Sequence, residues 1–495
     1  MMNRAGAWHF IPILVLVGLS YFIIFQNLGK FQIRMWDEAT YANNAIDMLL
    51  NQNPLVVEHL GQPDLYNTKP PLAIWLQALS MKLFGINEWA VRLPSGLAGL
   101  FTILLVYFFG VRVLKSKTIG FVAATILLTT KGFISNHMVR TGDLDAILLF
   151  WLTLGIFTFI ELVVKKPEQT RWHFLLLSIS LTGGFLTKGI AGFFFLPCMF
   201  IISVLFRNYW LYQEKWLYWS AAATLLLCAS YYGIRESLTP GYLQIVLESE
   251  IFRFNEAIMS WHVHPFDYYF QNLKNARFHP YLYILPIIIF SFFVLKTQQF
   301  QAFLYLLLTA VGYFLLISYP EVKLEWYDAP LFPLLSLLIG LSFIESGLFI
   351  FRKQPLQRHF RMAKPLLLVT ALLFIIKPLK EVLEIVKYPE EQIYYMDFDG
   401  AYLKHLKQNR PDIKKLTVFK QEDHPEHYDQ VLFYLRAYNL QHGYDIHLSH
   451  KPNFETAEVV MVCKQNLKDQ IESHYLAETL HTWRDGSLLL IKAVR

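Results

Sequence analysis

The sequence is poor in charge. Of its 495 residues only 17% are Asp, Glu, Lys or Arg, while 55% are hydrophobic and the mean hydropathy is +0.34. A soluble domain averages roughly 25% charged residues. The deficit, with apolar residues gathered into long blocks, excludes an ordinary soluble enzyme and indicates a polytopic membrane protein. Cysteine is scarce too. Cys198, Cys228 and Cys463 are too few for a disulfide framework. No Gly-rich phosphate-cradling loop occurs, which argues against an NTP-driven pump. There is no Asn-x-Ser/Thr sequon, no internal repeat and no low-complexity tract. The net charge of +6 follows from topology and is not a nucleic-acid signal.

What is present is apolar sequence in membrane-sized blocks, with 16% aromatic residues suited to interface belts. The blocks predict eleven spans, near 9–28, 92–113, 118–136, 143–163, 172–187, 189–206, 216–234, 281–296, 300–318, 328–350 and 363–380. The first block exceeds a signal-peptide core, and no small-x-small cleavage site follows it, so it reads as a retained helix.

Basic residues set the expected orientation. Arg112, Lys115 and Lys117 follow span two, Lys165, Lys166 and Arg171 follow span four, and Arg207 and Lys215 follow span six. Lys296 and the Arg352–Lys364 cluster continue the alternation. Short basic connections stay cytoplasmic, so the N-terminus is expected inside and the C-terminal segment outside. The chain then divides into a membrane domain at 1–387, with interfacial helices in an outer loop at 29–91, and a soluble periplasmic α/β domain at 388–495. In that last part 415–419, 459–463 and 488–494 read as strands and 428–438 as a helix.

The unusual polar residues fall on the outer side. The first outer loop begins Met35-Trp36-Asp37-Glu38-Ala39-Thr40-Tyr41 and later reads Tyr66-Asn67-Thr68-Lys69-Pro70-Pro71. Asp37 suits a helix N-cap, and equally a general base for an acceptor hydroxyl, with Glu38 beside it. The two prolines after Lys69 would fix its ammonium against a phosphate, or merely start a helix. Arg140, Asp143 and Asp145 lead span four, where charges near the membrane core are expensive and usually functional. Lys188 precedes Gly189 at a helix end, as a dipole-compensating cation or as a partner for a carboxylate. Arg253 could clamp a phosphate, and Lys323 with Trp326-Tyr327 could do likewise or sit in the aromatic belt. His262 and His264 are an incomplete metal pair.

Taken together these motifs resemble the GT-C class of polyprenyl-phosphate-dependent glycosyltransferases, nearest to the bacterial aminoarabinose transferases of lipid A, with the protein O-mannosyltransferases more distant. The resemblance covers roughly 30–335. It rests on Asp37-Glu38-Ala39-x-Tyr41-Ala42, Lys69-Pro70-Pro71, Ala90-Val91-Arg92-Leu93-Pro94-Ser95, Arg140-x-x-Asp143-x-Asp145, Leu186-Thr187-Lys188-Gly189, Arg253-Phe254 and Lys323-x-x-Trp326-Tyr327-x-x-Pro330.

The resemblance implies a donor such as an undecaprenyl-phosphate sugar, used at the periplasmic face of the bacterial inner membrane with inversion. The acceptor would be lipid A, another glycan or a protein. Asp37 would be the catalytic aspartate, with Glu38, Lys188, Asp143 and Asp145 in the catalytic group. Lys188 would orient the catalytic aspartate, Lys69 and Arg253 would hold the donor phosphate and Tyr327 would lie near it, with Tyr66, Arg140 and Lys323 as further substrate contacts. The sequence departs from the aminoarabinose branch at Thr68, where a metal-binding Glu is usual, at Thr40 in place of Arg, and at Glu250 in place of His. A divalent cation is therefore the open cofactor question. Two other readings compete: a transporter or flippase of lipid-linked sugars, which should carry midplane charges on broken, inverted-repeat helices, and a membrane scaffold, which would leave the outer acids without a purpose.

Overall fold

The computed structural model describes residues 10–65, 67–250, 262–352, 360–387, 398–421 and 428–495. Contacts divide the chain into two compact units. One comprises Met1–Gln26, Pro63–Ala73 and Pro94–Lys387, and the other Asn27–Gln62, Ile74–Leu93 and Tyr388–Arg495.

The first unit is helical. Among the described residues six helices are long and apolar enough to cross a membrane: Glu88–Arg112, Asp145–Lys165, Arg171–Phe193, Lys215–Leu238, Thr297–Ser318 and Glu325–Arg352. A pair bent by 113°, Tyr268–Arg277 with Tyr281–Val294, makes a seventh if counted as one span. Four apolar helices are shorter: Ile11–Phe25, Leu72–Phe84, Lys117–Leu128 and Leu196–Leu205. Each predicted block is thus helical over much of its length, but several fall short of the roughly 20 residues that a straight crossing needs.

Small residues let these helices close on one another. A Cβ on Gly110 would run into the backbone of Gly120, so the ends of Glu88–Arg112 and Lys117–Leu128 touch main chain to main chain. Such close approach is how membrane helices associate where no hydrophobic drive separates them from lipid. Ile103, Val106, Val122, Leu127, Leu334, Leu338 and Leu341 fill the resulting core. Lys215–Leu238, by contrast, leaves Trp219, Leu225 and Leu226 exposed, an apolar face suited to hydrocarbon.

The second unit builds a five-stranded sheet in the C-terminal segment. Its strands are β1 (Lys415–Phe419), β2 (Asp445–Ser449), β3 (Val459–Val462), β4 (Tyr475–Trp483) and β5 (Gly486–Val494). The order is β2-β1-β3-β5-β4, with β1 parallel to both neighbours and β5 antiparallel to both of its own. Phe419, Val460, Val462, Leu489 and Ile491 line its core with Leu467 and Ile471 of the helix Gln465–His474. Three strands and the helix Asp429–His442 were expected from the sequence. β2 and β4, mostly part-exposed, were not.

The same unit contains the helix Asp37–Asn51, expected over 38–50. It is buried from Glu38 to Asp47, polar positions included, because other parts of the unit supply partners.

Candidate active site

Asp37 opens its helix, with Glu38 behind it in the first turn, where the helix dipole favours anions. The residue before it, Trp36, has φ 74°, a left-handed conformation that a bulky side chain rarely adopts. Such a residue costs on the order of 1–3 kcal/mol and persists only when its surroundings over-determine it.

Glu38 is 1% exposed and is fully engaged. Its Oε1 accepts from Arg92 Nε at 2.7 Å, and its Oε2 from Arg92 Nη2 at 2.9 Å and from the Arg34 amide at 2.8 Å. Arg92 also donates to the carbonyls of Leu28, Phe31 and Gln32. This fork fixes the chain before Asp37 and gives Glu38 a holding role.

In the helical unit three expected residues converge. Lys188 Nζ lies 2.7 Å from Asp145 Oδ1 and 5.4 Å from the centre of the Tyr327 ring. Lys188 ends Arg171–Lys188, Asp145 begins Asp145–Lys165, and Tyr327 sits in the turn Glu325–Asp328. That turn is pinned by Arg277, whose Nε donates to Asp328 Oδ1 at 2.8 Å and Oδ2 at 3.1 Å, and by Tyr313, whose hydroxyl donates to the Tyr327 carbonyl.

Asp143 is buried two residues before that helix, 3.2 Å from His137 Nδ1. The His137 ring stacks on Trp326 with centroids 3.4 Å apart. Burial alone would raise the Asp143 pKa; His137, the Thr141 hydrogen bond and Lys188 together pull it below the ordinary carboxylate value. His137 carried no motif and Trp326 was singled out only beside Lys323 and Tyr327; only the fold brings them to the acid.

Lys69 Nζ pairs with Glu250 Oε1 at 2.8 Å, and Glu250 Oε2 accepts from the Ile190 amide at 3.2 Å. Gly189 has φ 57°, and a Cβ there would strike the Glu250 carboxylate. The glycine after Lys188 is therefore required twice, by its backbone and by this close approach. Tyr242 donates to the Thr68 carbonyl at 2.7 Å, and Thr68 Oγ1 meets Ser249 Oγ at 3.0 Å. Thr68, one of the departures noted in the sequence, thus meets a second neutral hydroxyl.

Two expected substrate contacts hold the scaffold. Arg140 Nη1 donates to the carbonyls of Ile23, Ile24 and Gln26, satisfying the C-terminal end of the first helix. Lys323 Nζ donates to the carbonyls of His264 and Pro320, and burial lowers its pKa. Tyr66 and Arg253 lie outside the described residues.

Arg235 carries no motif in the sequence. It is 1% exposed, with its guanidinium 4.6 Å from the Tyr242 ring centre and Nη1 donating to Thr239. The Tyr231 hydroxyl lies beside it, and among the described residues Arg235 Nη2 makes no hydrogen bond of good geometry.

The family model "Dolichyl-phosphate-mannose-protein mannosyltransferase" matches residues 14–234. An uncharacterized protein of Aquifex aeolicus is 27% identical, over 68% of this chain and 63% of its own. The undecaprenyl phosphate-alpha-4-amino-4-deoxy-L-arabinose arabinosyl transferase of Pseudomonas paraeruginosa is also 27% identical, over 70% of this chain and 61% of its own. The chain thus spans little more than six-tenths of these relatives. The crystal structure of ArnT from Cupriavidus metallidurans bound to undecaprenyl phosphate superposes with a TM-score of 0.72 at 14% identity, covering 98% of both chains. The fold is that of the GT-C glycosyltransferases, and the chain resembles the ArnT and O-mannosyltransferase branches of that class.

Proposed function

We propose that this protein is a membrane glycosyltransferase that moves a sugar from a polyprenyl-phosphate donor to a hydroxyl or phosphate of a lipid A, glycan or protein acceptor. The observation that carries the reading is the convergence of Asp145, Lys188 and Tyr327, which come from three separate family motifs. Motif residues scattered by chance would not meet.

In this reading Asp37 accepts the proton of an acceptor hydroxyl, whose oxygen attacks the anomeric carbon from the face opposite the phosphate. The bond from that carbon to the phosphate oxygen breaks, and configuration inverts. Lys69 and Arg253 stabilise the charge growing on the departing phosphate. Lys188 and Tyr327 complete the polar surround, while Asp143 and Asp145 orient it. The proposed steps use no metal.

We place the protein in a bacterial inner membrane, with the N-terminus cytoplasmic and 388–495 periplasmic, following 1–387 in the membrane. Eleven crossings would comprise the six long helices, the bent pair, Ile11–Phe25, Lys117–Leu128, Leu196–Leu205 and Phe360–Lys387. The flippase alternative gains no support from the relatives.

Purified protein in liposomes, given polyprenyl-phosphate sugars and a membrane lipid extract, tests the function. Release of polyprenyl phosphate together with a glycosylated product supports it. Movement of intact donor between leaflets without release would replace it with the flippase.

A further inference from the structure

The sequence assigns the C-terminal segment no role in chemistry, yet its helix Asp429–His442 lies against the helix that begins with Asp37. The contacts are polar and buried. The Asp429 carboxylate accepts from the Thr40 hydroxyl and lies 3.2 Å from His59 Nε2. The Asp429 carbonyl accepts from Asn43 Nδ2 at 2.8 Å. One stretch further on, Arg436 forks onto Asp47, with Nη2 2.6 Å from Oδ1 and Nη1 3.2 Å from Oδ2.

Thr40 and Asp47 are seven residues apart, as are Asp429 and Arg436. The helices therefore run parallel, two turns in register, with a polar pin at each end. Gln430 Nε2 donates to the Ile33 carbonyl at 2.5 Å, and the Tyr434 hydroxyl accepts from the Ile33 amide and donates to Glu88 at 2.9 Å. Lys404 pairs with Glu88 at 2.8 Å and donates to the carbonyls of Gly29 and Lys30.

These groups grip the chain on both sides of Trp36. Asp429, Asn43 and Asp47 are at most 3% exposed. A buried polar seam of this kind is expensive unless fully satisfied, and fixes one geometry when it is. It supplies the over-determination that the left-handed Trp36 requires.

We propose that Asp429 and Arg436 are positioning residues. Through Thr40, Asn43 and Asp47 they hold the Trp36–Asp37 turn in its working conformation, which makes the C-terminal domain part of the catalytic apparatus. The inference rests on the transferase reading for Asp37, but its structural half stands apart from activity.

The test uses the full-length protein, with Asp429→Ala, Arg436→Asp, Asp47→Arg and the Asp47→Arg/Arg436→Asp swap, each read by amide exchange and by donor turnover. The clamp predicts faster exchange at the Arg34 and Thr40 amides in the single variants, with the transmembrane helices unchanged. It predicts a kcat loss of about tenfold to a hundredfold with the donor KM retained. The swap should restore both readouts. Unchanged exchange at Arg34 and Thr40 overturns the clamp whether or not the assay detects turnover. Faster exchange with wild-type kcat overturns the positioning role. A wild type with no turnover overturns the transferase reading, and the exchange data then decide the clamp alone. A variant that fails to fold is replaced by Asp429→Asn, which keeps an acceptor for Thr40 and should show the same changes at smaller size.

Discussion

Lys69 Nζ lies 2.8 Å from Glu250 Oε1, and the carboxylate is much the more buried of the two, with side-chain exposures of 5% for Glu250 and 23% for Lys69. The acid is held on its other oxygen by the Ile190 amide, so the pair is anchored from the Glu250 side. In the transferase reading the more exposed Lys69 is the member that meets the donor phosphate, one anion in place of another.

Removing Lys69 alone leaves a buried carboxylate uncompensated, a loss of about 3–5 kcal/mol when a buried pair is broken. Lys69→Ala should lower both donor turnover and the thermal midpoint in detergent. Lys69→Ala/Glu250→Ala should recover the midpoint but not the turnover. Recovery of both would remove Lys69 from phosphate binding. Lys323→Ala, whose ammonium serves two carbonyls, should reduce turnover less than Lys69→Ala.

Lys188 stands between Asp145 and the Tyr327 ring. Lys188→Ala should lower kcat by about a hundredfold, the scale of removing one preorganised charged group. Lys188→Arg keeps the charge with a wider fork and should retain part of it. Full activity in Lys188→Ala would contradict the assigned role.

The Asp143 carboxyl is held below its ordinary value, so its folded form binds the proton less readily than the unfolded form. The stabilisation is present above the unfolded pKa of about 3.9 and is lost as pH falls through the lower folded pKa. In His137→Ala, burial dominates and the acid loss should begin at higher pH. Thermal midpoints across the acid range check this; superimposable profiles would show that His137 is not the balancing charge.

Arg235 is 1% exposed, with its guanidinium against the Tyr242 ring and no carboxylate among its partners within the described residues. Taking a lone charge out of water costs several kcal/mol, a penalty that an apolar side chain of similar volume does not carry. Arg235→Met should raise the thermal midpoint while reducing donor turnover. A lowered midpoint would mean that the guanidinium earns its place by packing on Tyr242.

Much of the fold was legible because helix formation in a membrane follows from apolar length and basic connections. Leu72–Phe84, read from the sequence over 72–84, and Asp37–Asn51, read over 38–50, emerged within a residue of those limits. The lengths of individual crossings did not emerge, because Arg171–Phe193 runs on past Gly189, where the sequence reads a break between spans, and because Tyr268–Arg277, read as outer loop, pairs with Tyr281–Val294 across a 113° bend. Of the residues in the proposed site, Asp37, Lys69, Asp145, Lys188 and Tyr327 were named from local motifs. Their pairings were not. Glu250 stood out only as a departure from the family pattern, His137 and Arg235 carry no local signal, and the partners of Glu38 and Arg140 come from residues 54 and 117 positions away. The least legible feature was the seam between Thr40 and Asp429, since nothing in either helix announces a contact 389 residues away.

The central claim is that Asp37 takes the proton from the acceptor. Single-turnover transfer from a polyprenyl-phosphate sugar should be compared in wild type and Asp37→Asn, a near-isosteric change, at matched folding and donor occupancy. The account predicts unchanged donor binding with transfer reduced by about a hundredfold or more, the range for loss of a positioned general base. Wild-type transfer by Asp37→Asn would contradict it and move the base elsewhere.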